Sequence, residues 1–454
     1  MLTARETERI RRGAFRLGAF LLFLRVSYLH EIETYLTRVN LRLLYIFGMP
    51  AILGIVIAGG LRRALRGWPA YCWVAYAGWI ALSIPFSSWV GGSFRVMAVF
   101  VRSDLLMLFA IAGLAISWRE CRSIMYVIAS AAVVNLVSAR LFATENMEER
   151  LSLEFGSIKN ANDFAAHLLL VLPFLLWTAL SSRSWLLRLA ALLGVGYGLY
   201  LILSTGSRGA VVALGLDVLV VLIWGTTRQR LALFTLGPLA LAAILTTVPS
   251  QALRRSVSFS GGTDAVSNEA EESGEVRRYL FRKSVEYAIH HPLFGIGMGM
   301  FANYEGVDSV SSGRRGAWHV THNSFTQAAS ECGIPAMLLF MAGIISTLIL
   351  VNSTWRDARR RRCEEVQNAA FCVILAVVGF SAAITFLSLA YTFYLPAMGG
   401  LAISIACAAR AEFAVRDRIR MPLKAVGSAA WRPAGPVEPD VFTGARLTSG
   451  APSR

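Results

Sequence analysis

Apolar runs near the length that crosses a bilayer recur through this chain, strung between short connectors rich in arginine. About 20 consecutive apolar residues span the hydrocarbon core as a helix, so a sequence built this way is committed to a membrane. The runs lie near 14–29, 43–61, 69–89, 98–117, 123–142, 162–180, 186–204, 208–226, 231–249, 332–353, 367–390 and 393–410. Arg16 and Arg25 interrupt the first, which reads either as a span or as a segment lying in the interface. Composition agrees: charged residues are 16%, against about 25% in soluble domains. The expected fold is all-α, a polytopic membrane protein of about 12 transmembrane helices with one long outer loop between helices 9 and 10.

The net charge of +16 is nearly all arginine, since the only lysines are Lys159, Lys283 and Lys424. A charge of that size raises the question of nucleic acid. The arginines instead sit in short loops between apolar segments, where they orient helices. With the N-terminus inside, the inner connections carry Arg62, Arg63 and Arg66, then Arg119 and Arg122, then Arg183, Arg228 and Arg230, and the cluster Arg356 and Arg359 to Arg362. The alternate connections are poorer in arginine, and the long loop falls outside. Arg5, Arg9, Arg11, Arg12 and Arg16 precede the first apolar stretch without a small-x-small exit, so the first helix is expected to stay as an anchor. The cysteines Cys72, Cys121, Cys332, Cys363, Cys372 and Cys407 show no Cys-x-x-Cys spacing and imply no disulfide framework.

Four regions follow: 1–249 with nine helices, 250–330 as the outer loop with short helices, 331–410 with three helices, and 411–454 as a tail. The loop is composite. Ser256 to Gly274, rich in Ser, Gly and acids, reads as flexible. From Glu275 to His290 the residues Leu280, Phe281, Val285, Ala288 and Ile289 recur at helical spacing and predict a short amphipathic helix. It should stop at His291-Pro292. Gly295-Ile-Gly297-Met-Gly299 then predicts a turn of close backbone approach, without the strand that a nucleotide-binding fingerprint requires. The tail, with Pro422, Pro433, Pro436, Pro439 and Pro452, reads as disordered and cytoplasmic.

Cationic and titratable groups concentrate on the outer side. Arg208 opens an apolar run after Ser207 and reads as a snorkelling interfacial arginine or as a phosphate clamp, its planar guanidinium matching phosphate oxygens bidentately. Arg277 and Arg278 begin the loop helix, as a solvated face or as the second positive group a pyrophosphate would need. His322, just before Asn323-Ser-Phe, suits proton abstraction from a sugar hydroxyl, or caps the next helix. His319 three residues earlier gives a His-x-x-His without an evident third ligand, so no metal is expected. His290 and His291 are read as serving the turn. Asn160, Asn162 and Asp163 open the sixth span from outside, capping it or facing a cavity.

Ser204-Thr-Gly-Ser-Arg-Gly-Ala210, Arg277 with Phe281 four residues on, His291-Pro-Leu-Phe-Gly-Ile-Gly297, His322-Asn-Ser-Phe and Glu331-Cys-Gly333 occur in that order. In these pieces, over roughly 160–350, the chain resembles the bacterial O-antigen ligase and polymerase superfamily of envelope polysaccharide enzymes. Phe281 stands where a tryptophan is common in that superfamily, and the register leaves Arg277 and Arg278 as alternatives. The resemblance implies a metal-independent glycosyltransferase of the bacterial inner membrane, working without a cofactor on the periplasmic face. Its donor would be a glycan on undecaprenyl pyrophosphate, and its acceptor lipid A-core or a growing glycan. Arg208 would hold the pyrophosphate with Ser207 and Asn162 nearby, Arg277 or Arg278 would assist, and His322 would orient or deprotonate the acceptor. Ligation to lipid A-core is the leading expectation. Repeat-unit polymerisation and glycosylation of a protein are alternatives, and a transporter of a lipid-linked or anionic solute comes from another class. The transporter is disfavoured because polar groups gather in one outer loop, Asp217 being the main acidic residue inside a span.

Overall fold

In the computed structural model, residues 3–145, 150–153, 156–250, 252–253, 265–313 and 315–420 are described. Among the described residues the regular structure is helical apart from one short antiparallel hairpin, β1 (Ala143–Glu145) with β2 (Leu151–Leu153), in which Thr144 faces Ser152. It begins with α1 (Ala4–Ser27), α2 (Leu29–Thr37), α3 (Leu43–Ile57), α4 (Gly60–Ala64) and α5 (Trp68–Ser83). Next come α6 (Val90–Val99), a π-helical turn over Phe100–Leu105, α7 (Leu106–Leu114), α8 (Trp118–Phe142) and, after the hairpin, α9 (Ala161–Ser181). Then follow α10 (Trp185–Ser204), α11 (Arg208–Trp224), α12 (Thr227–Leu245), α13 (Ala265–His290), α14 (Phe301–Ser311) and α15 (Ser324–Cys332). The last are α16 (Ile334–Arg360), α17 (Glu364–Ala383) and α18 (Tyr394–Arg420).

Helix occupies all twelve expected segments. Among the described residues, eight helical stretches are long and apolar enough to cross a membrane. The remaining four segments fall to α3, α5 and α11, of 15, 16 and 17 residues, and to α1, whose first half is charged. The chain is thus an all-α, multi-pass membrane protein. α9 lies at the centre, buried on every side from Phe164 to Leu175 and apolar there except for His167, because it packs on α8, α10, α11 and α17 together.

Side-chain contacts sort the connectors into two ends. At one end Arg11 reaches Glu120 at 2.8 Å, Arg63 Nε donates to the Gly113 carbonyl at 2.8 Å, and Trp118 Nε1 donates to Glu365 at 3.0 Å. These contacts gather the N-terminus and the connections around 58–67, 115–117 and 361–363, the arginine-rich set. At the other end the Ser157 N–H donates to Glu31 at 2.7 Å, Arg150 reaches Thr205, and Ser88 N–H donates to Ile296 at 2.9 Å. The arginine alternation is therefore mirrored in three dimensions.

Several expectations change. The loop helix is 26 residues long, and it buries Leu280, Lys283, Ser284, Tyr287 and Ala288 while Phe281, Val285 and Ile289 lie exposed. The face chosen is the one that meets α14 and α15, which the apolar pattern alone did not specify. Residues 411–420 of the expected disordered tail continue α18. The remainder of the tail and residues 256–264 of the expected flexible stretch lie outside the described residues, while 265–274 of that stretch form the start of α13 instead. Polar groups inside spans also go beyond Asp217: Asp104, in the π-helical turn, accepts from Arg25 at 2.6 Å, and Asn135 contacts His167 at 2.6 Å. Such pairing is how ionisable groups are accommodated away from water.

Candidate functional site

The Ser-Arg-Gly turn starts α11. Gly206 takes φ 61, the left-handed region open to glycine, and reverses the chain after α10. Ser207, buried, caps the helix by accepting the Ala210 N–H at 3.4 Å. Arg208 is the first helical residue and half-buried. A Cβ on Gly209 would lie 2.7 Å from the Phe386 ring, so glycine lets α11 start directly against the turn between α17 and α18.

That turn also holds His322. Ser388 Oγ accepts the His322 N–H at 2.8 Å and shares a 3.0 Å hydrogen bond with Thr321 Oγ. Ser324 Oγ donates to the Leu387 carbonyl at 2.7 Å and accepts from the Leu389 N–H at 2.8 Å. Asn323, not His322, caps α15, its side chain accepting from Phe325 and Thr326 N–H at 2.9 and 3.0 Å. The histidine ring is thereby left out of the capping. Burial, then the positive charges of Arg277 and His319, push its imidazole down to about 4, so it stands neutral near pH 7 and able to accept a proton.

Of the arginine pair, Arg277 is half-buried and interacts electrostatically with both His322 and Asp163. Arg278 lies exposed, one residue round the helix. Asp163 and Asn162 stand in the first turn of α9, capped by Asn160, whose Oδ1 accepts the Asn162 N–H at 2.9 Å. Asn162 Oδ1 accepts from Arg150 Nη2 at 3.0 Å, and Arg150 Nε donates to the Thr205 carbonyl at 2.9 Å. Hydrogen bonds tie the Thr205–Arg208 turn through Arg150 to Asn162, the 384–390 turn holds His322 and abuts Gly209, and Arg277 interacts electrostatically with Asp163 and His322.

Arg150 and Ser388 are the residues that reading the sequence missed, and of the two roles left open for Asp163 its electrostatic link to Arg277 favours the site-facing one. Arg150 carried one weak signal, a lone arginine in an outer connection where arginines are scarce. Ser388 carried none.

The glycine turn is a brace. Ile296 and Gly297 N–H donate to the Ser330 and Glu331 carbonyls at 2.9 and 2.8 Å. A Cβ at Gly295 or Gly333 would meet backbone at 2.3 or 2.0 Å. The buried Glu331 carboxylate accepts the Gly299 and Phe301 N–H groups at 2.9 and 3.2 Å. Glu305, at the centre of α14, accepts Trp318 N–H at 2.9 Å and Tyr279 OH at 2.9 Å, pinning the strand of chain that leads to His322. His290 and His291 are exposed, with His291 Nε2 3.4 Å from Tyr304 OH. His319 is exposed too, and among the described residues no group of three or more His, Cys, Asp or Glu is gathered as metal ligands would be.

Residues 193–341 match the family described as O-Antigen ligase, roughly a third of the chain, running from within α10 to the first turns of α16. The match takes in Arg208, Arg277 and His322 and leaves out Arg150, Asn162, Asp163 and Ser388. No curated protein matches the chain. Members of the matched family act as ligases or polymerases in polysaccharide assembly, and over 193–341 this chain is similar to them.

Proposed function

We propose that this protein is a glycosyltransferase of the bacterial inner membrane that moves a glycan from undecaprenyl pyrophosphate to an acceptor hydroxyl on the periplasmic face, most specifically lipid A-core. The observation that supports this reading is the gathering of Arg208, Arg277 and a neutral His322 on one end of the helix bundle, with Arg277 in electrostatic reach of His322 and Asp163. That end is opposite the arginine-rich connectors, which the positive-inside rule assigns to the cytoplasm.

The chemistry needs little more than charge and position. Pyrophosphate is a good leaving group once its developing charge is neutralised, and two guanidiniums do this in a site partly screened from water. The bond from the sugar anomeric carbon to the pyrophosphate oxygen breaks. A bond from that carbon to the acceptor oxygen forms, His322 takes the acceptor's hydroxyl proton, and undecaprenyl pyrophosphate leaves. Arg150 holds the Ser207–Arg208 turn against α9, and Asp163 orients Arg277.

The test is complementation of a strain lacking the gene, with lipopolysaccharide resolved by gel electrophoresis and undecaprenyl-linked glycan assayed alongside. Arg208→Ala, Arg277→Ala and His322→Ala should each lower transfer by about 10²–10³ while the protein stays in the membrane, and Arg278→Ala should keep most of it. Long glycan accumulating on the carrier beside bare lipid A-core identifies ligation. Single repeat units on the core identify polymerisation, and normal transfer by the histidine and arginine variants would sink the mechanism.

A further inference from the structure

A groove between α1 and α8, at the end of the molecule away from the site, takes no part in the chemistry above. Its volume is about 940 Å³, near the top of the roughly 300–1,000 Å³ of small-molecule pockets. It has two zones. At its head stand Arg12, Arg16 and Arg119, all exposed, and along its length run Phe15, Phe20, Phe23 and Tyr126. Arg11 is at the head as well but is buried and committed: it binds Glu120 at 2.8 Å, Glu8 at 2.8 Å and the Leu114 carbonyl at 2.6 Å. That bracket fixes α1 on α8 and shapes the groove.

The charges do not cancel. Arg11, Arg12, Arg16 and Arg119 face Glu8 and Glu120 there, and Glu8 is shared between Arg11 and Arg12, so two positive charges are left over. From Arg12 to Phe23 the groove follows α1 for about 16 Å at 1.5 Å per residue, about half of a hydrocarbon core of roughly 30 Å. A soluble anion has no use for the aromatic zone, and an uncharged lipid has none for the arginines. We propose that this groove is a binding site for an anionic phospholipid of the leaflet at the arginine-rich end. Its phosphate sits among Arg12, Arg16 and Arg119, and one acyl chain lies along Phe15, Phe20, Phe23 and Tyr126. The lipid covers the α1 face that lines the groove and braces this helix, with its six arginines and two glutamates, against the bundle.

The test uses the full chain in mixed micelles holding phosphatidylglycerol and phosphatidylethanolamine of matched chains in equal amounts, with bound lipid counted by native mass spectrometry. The wild type should retain phosphatidylglycerol preferentially. Arg16→Gln with Arg119→Gln should cut that preference about fivefold per arginine, roughly twenty-five-fold together. Arg62→Gln with Arg66→Gln, the same charge loss at the same end but outside the groove, should leave it. Ala19→Trp, which fills the apolar zone and keeps every arginine, should also lower retention. Equal retention of the two lipids, an equal drop in both arginine pairs, or undiminished binding by Ala19→Trp would each overturn the proposal. Displacement by water-soluble glycerol phosphate as effective as by phosphatidylglycerol would overturn it as well, since a headgroup alone would then suffice.

Discussion

His322 holds a left-handed backbone conformation, φ 52, that a non-glycine residue adopts at some cost. Its N–H is fixed on Ser388 and the following Asn323 takes over the capping, so the surrounding bonds hold the residue in place and aim its ring. Because burial, Arg277 and His319 hold the imidazole down to about 4 from 6.5, it stays unprotonated through the neutral range. If it is the base, transfer by purified enzyme should be flat from neutral pH down and fall only as pH approaches about 4. An acid limb centred near 6.5 would show an unperturbed histidine and contradict the site geometry. Arg277 and Arg278 make the complementary point. Neighbours in sequence are about 100° apart on a helix, so one faces Asp163 and His322 while the other is exposed; no local pattern distinguishes them, because the deciding partners come from α9 and the chain before α15.

Among the elements, the glycine turn and the α15–α16 junction act as one clasp, tied to α5 by Trp79 Nε1, which donates to the Leu293 and Cys332 carbonyls at 3.2 and 3.1 Å. Glu331 is its buried centre. Burial lifts its carboxyl to about 7, against the hydrogen bonds from Gly299, Tyr391, Phe301 and Gln327 that work to lower it. Since the folded value lies above the ordinary 4.5, ionisation withdraws stability progressively as pH rises from about 4.5 to about 7. Glu331→Gln should cost about 1–3 kcal/mol, because its amide N–H₂ would face a backbone N–H that now has a carboxylate oxygen. It should also flatten that pH dependence in thermal unfolding of the detergent-solubilised protein. An unchanged transition temperature would remove Glu331 from this role. The motif His291 to Gly297 was legible as a tight turn from its glycines, but its partners Ser330 and Glu331 were not, lying more than thirty residues further on.

Across the whole molecule, the two ends of the bundle carry unlike chemistry: arginine-glutamate clamps at one, and the arginine-histidine group with its clasp at the other. Sidedness follows from charge and is tested directly. In intact cells a membrane-impermeant maleimide should label Ser312→Cys and spare Glu364→Cys, both read against the labelling of the native cysteines. The reverse pattern would place the site in the cytoplasm and end the periplasmic reading.

The sequence by itself determined the membrane class, the alternation of the connectors and the order of the Ser-Arg-Gly, His-Pro and His-Asn-Ser pieces. Hydrophobic run length and arginine placement are local properties, and the bilayer turns them directly into helices and orientation. Tertiary structure alone decided that Arg277 faces inward, that Arg150 joins Thr205 to Asn162, and that Ser388 anchors His322. Those choices depend on which helix faces meet across tens to hundreds of residues. Periodicity shows that a helix has a face to bury, and only packing selects its partner.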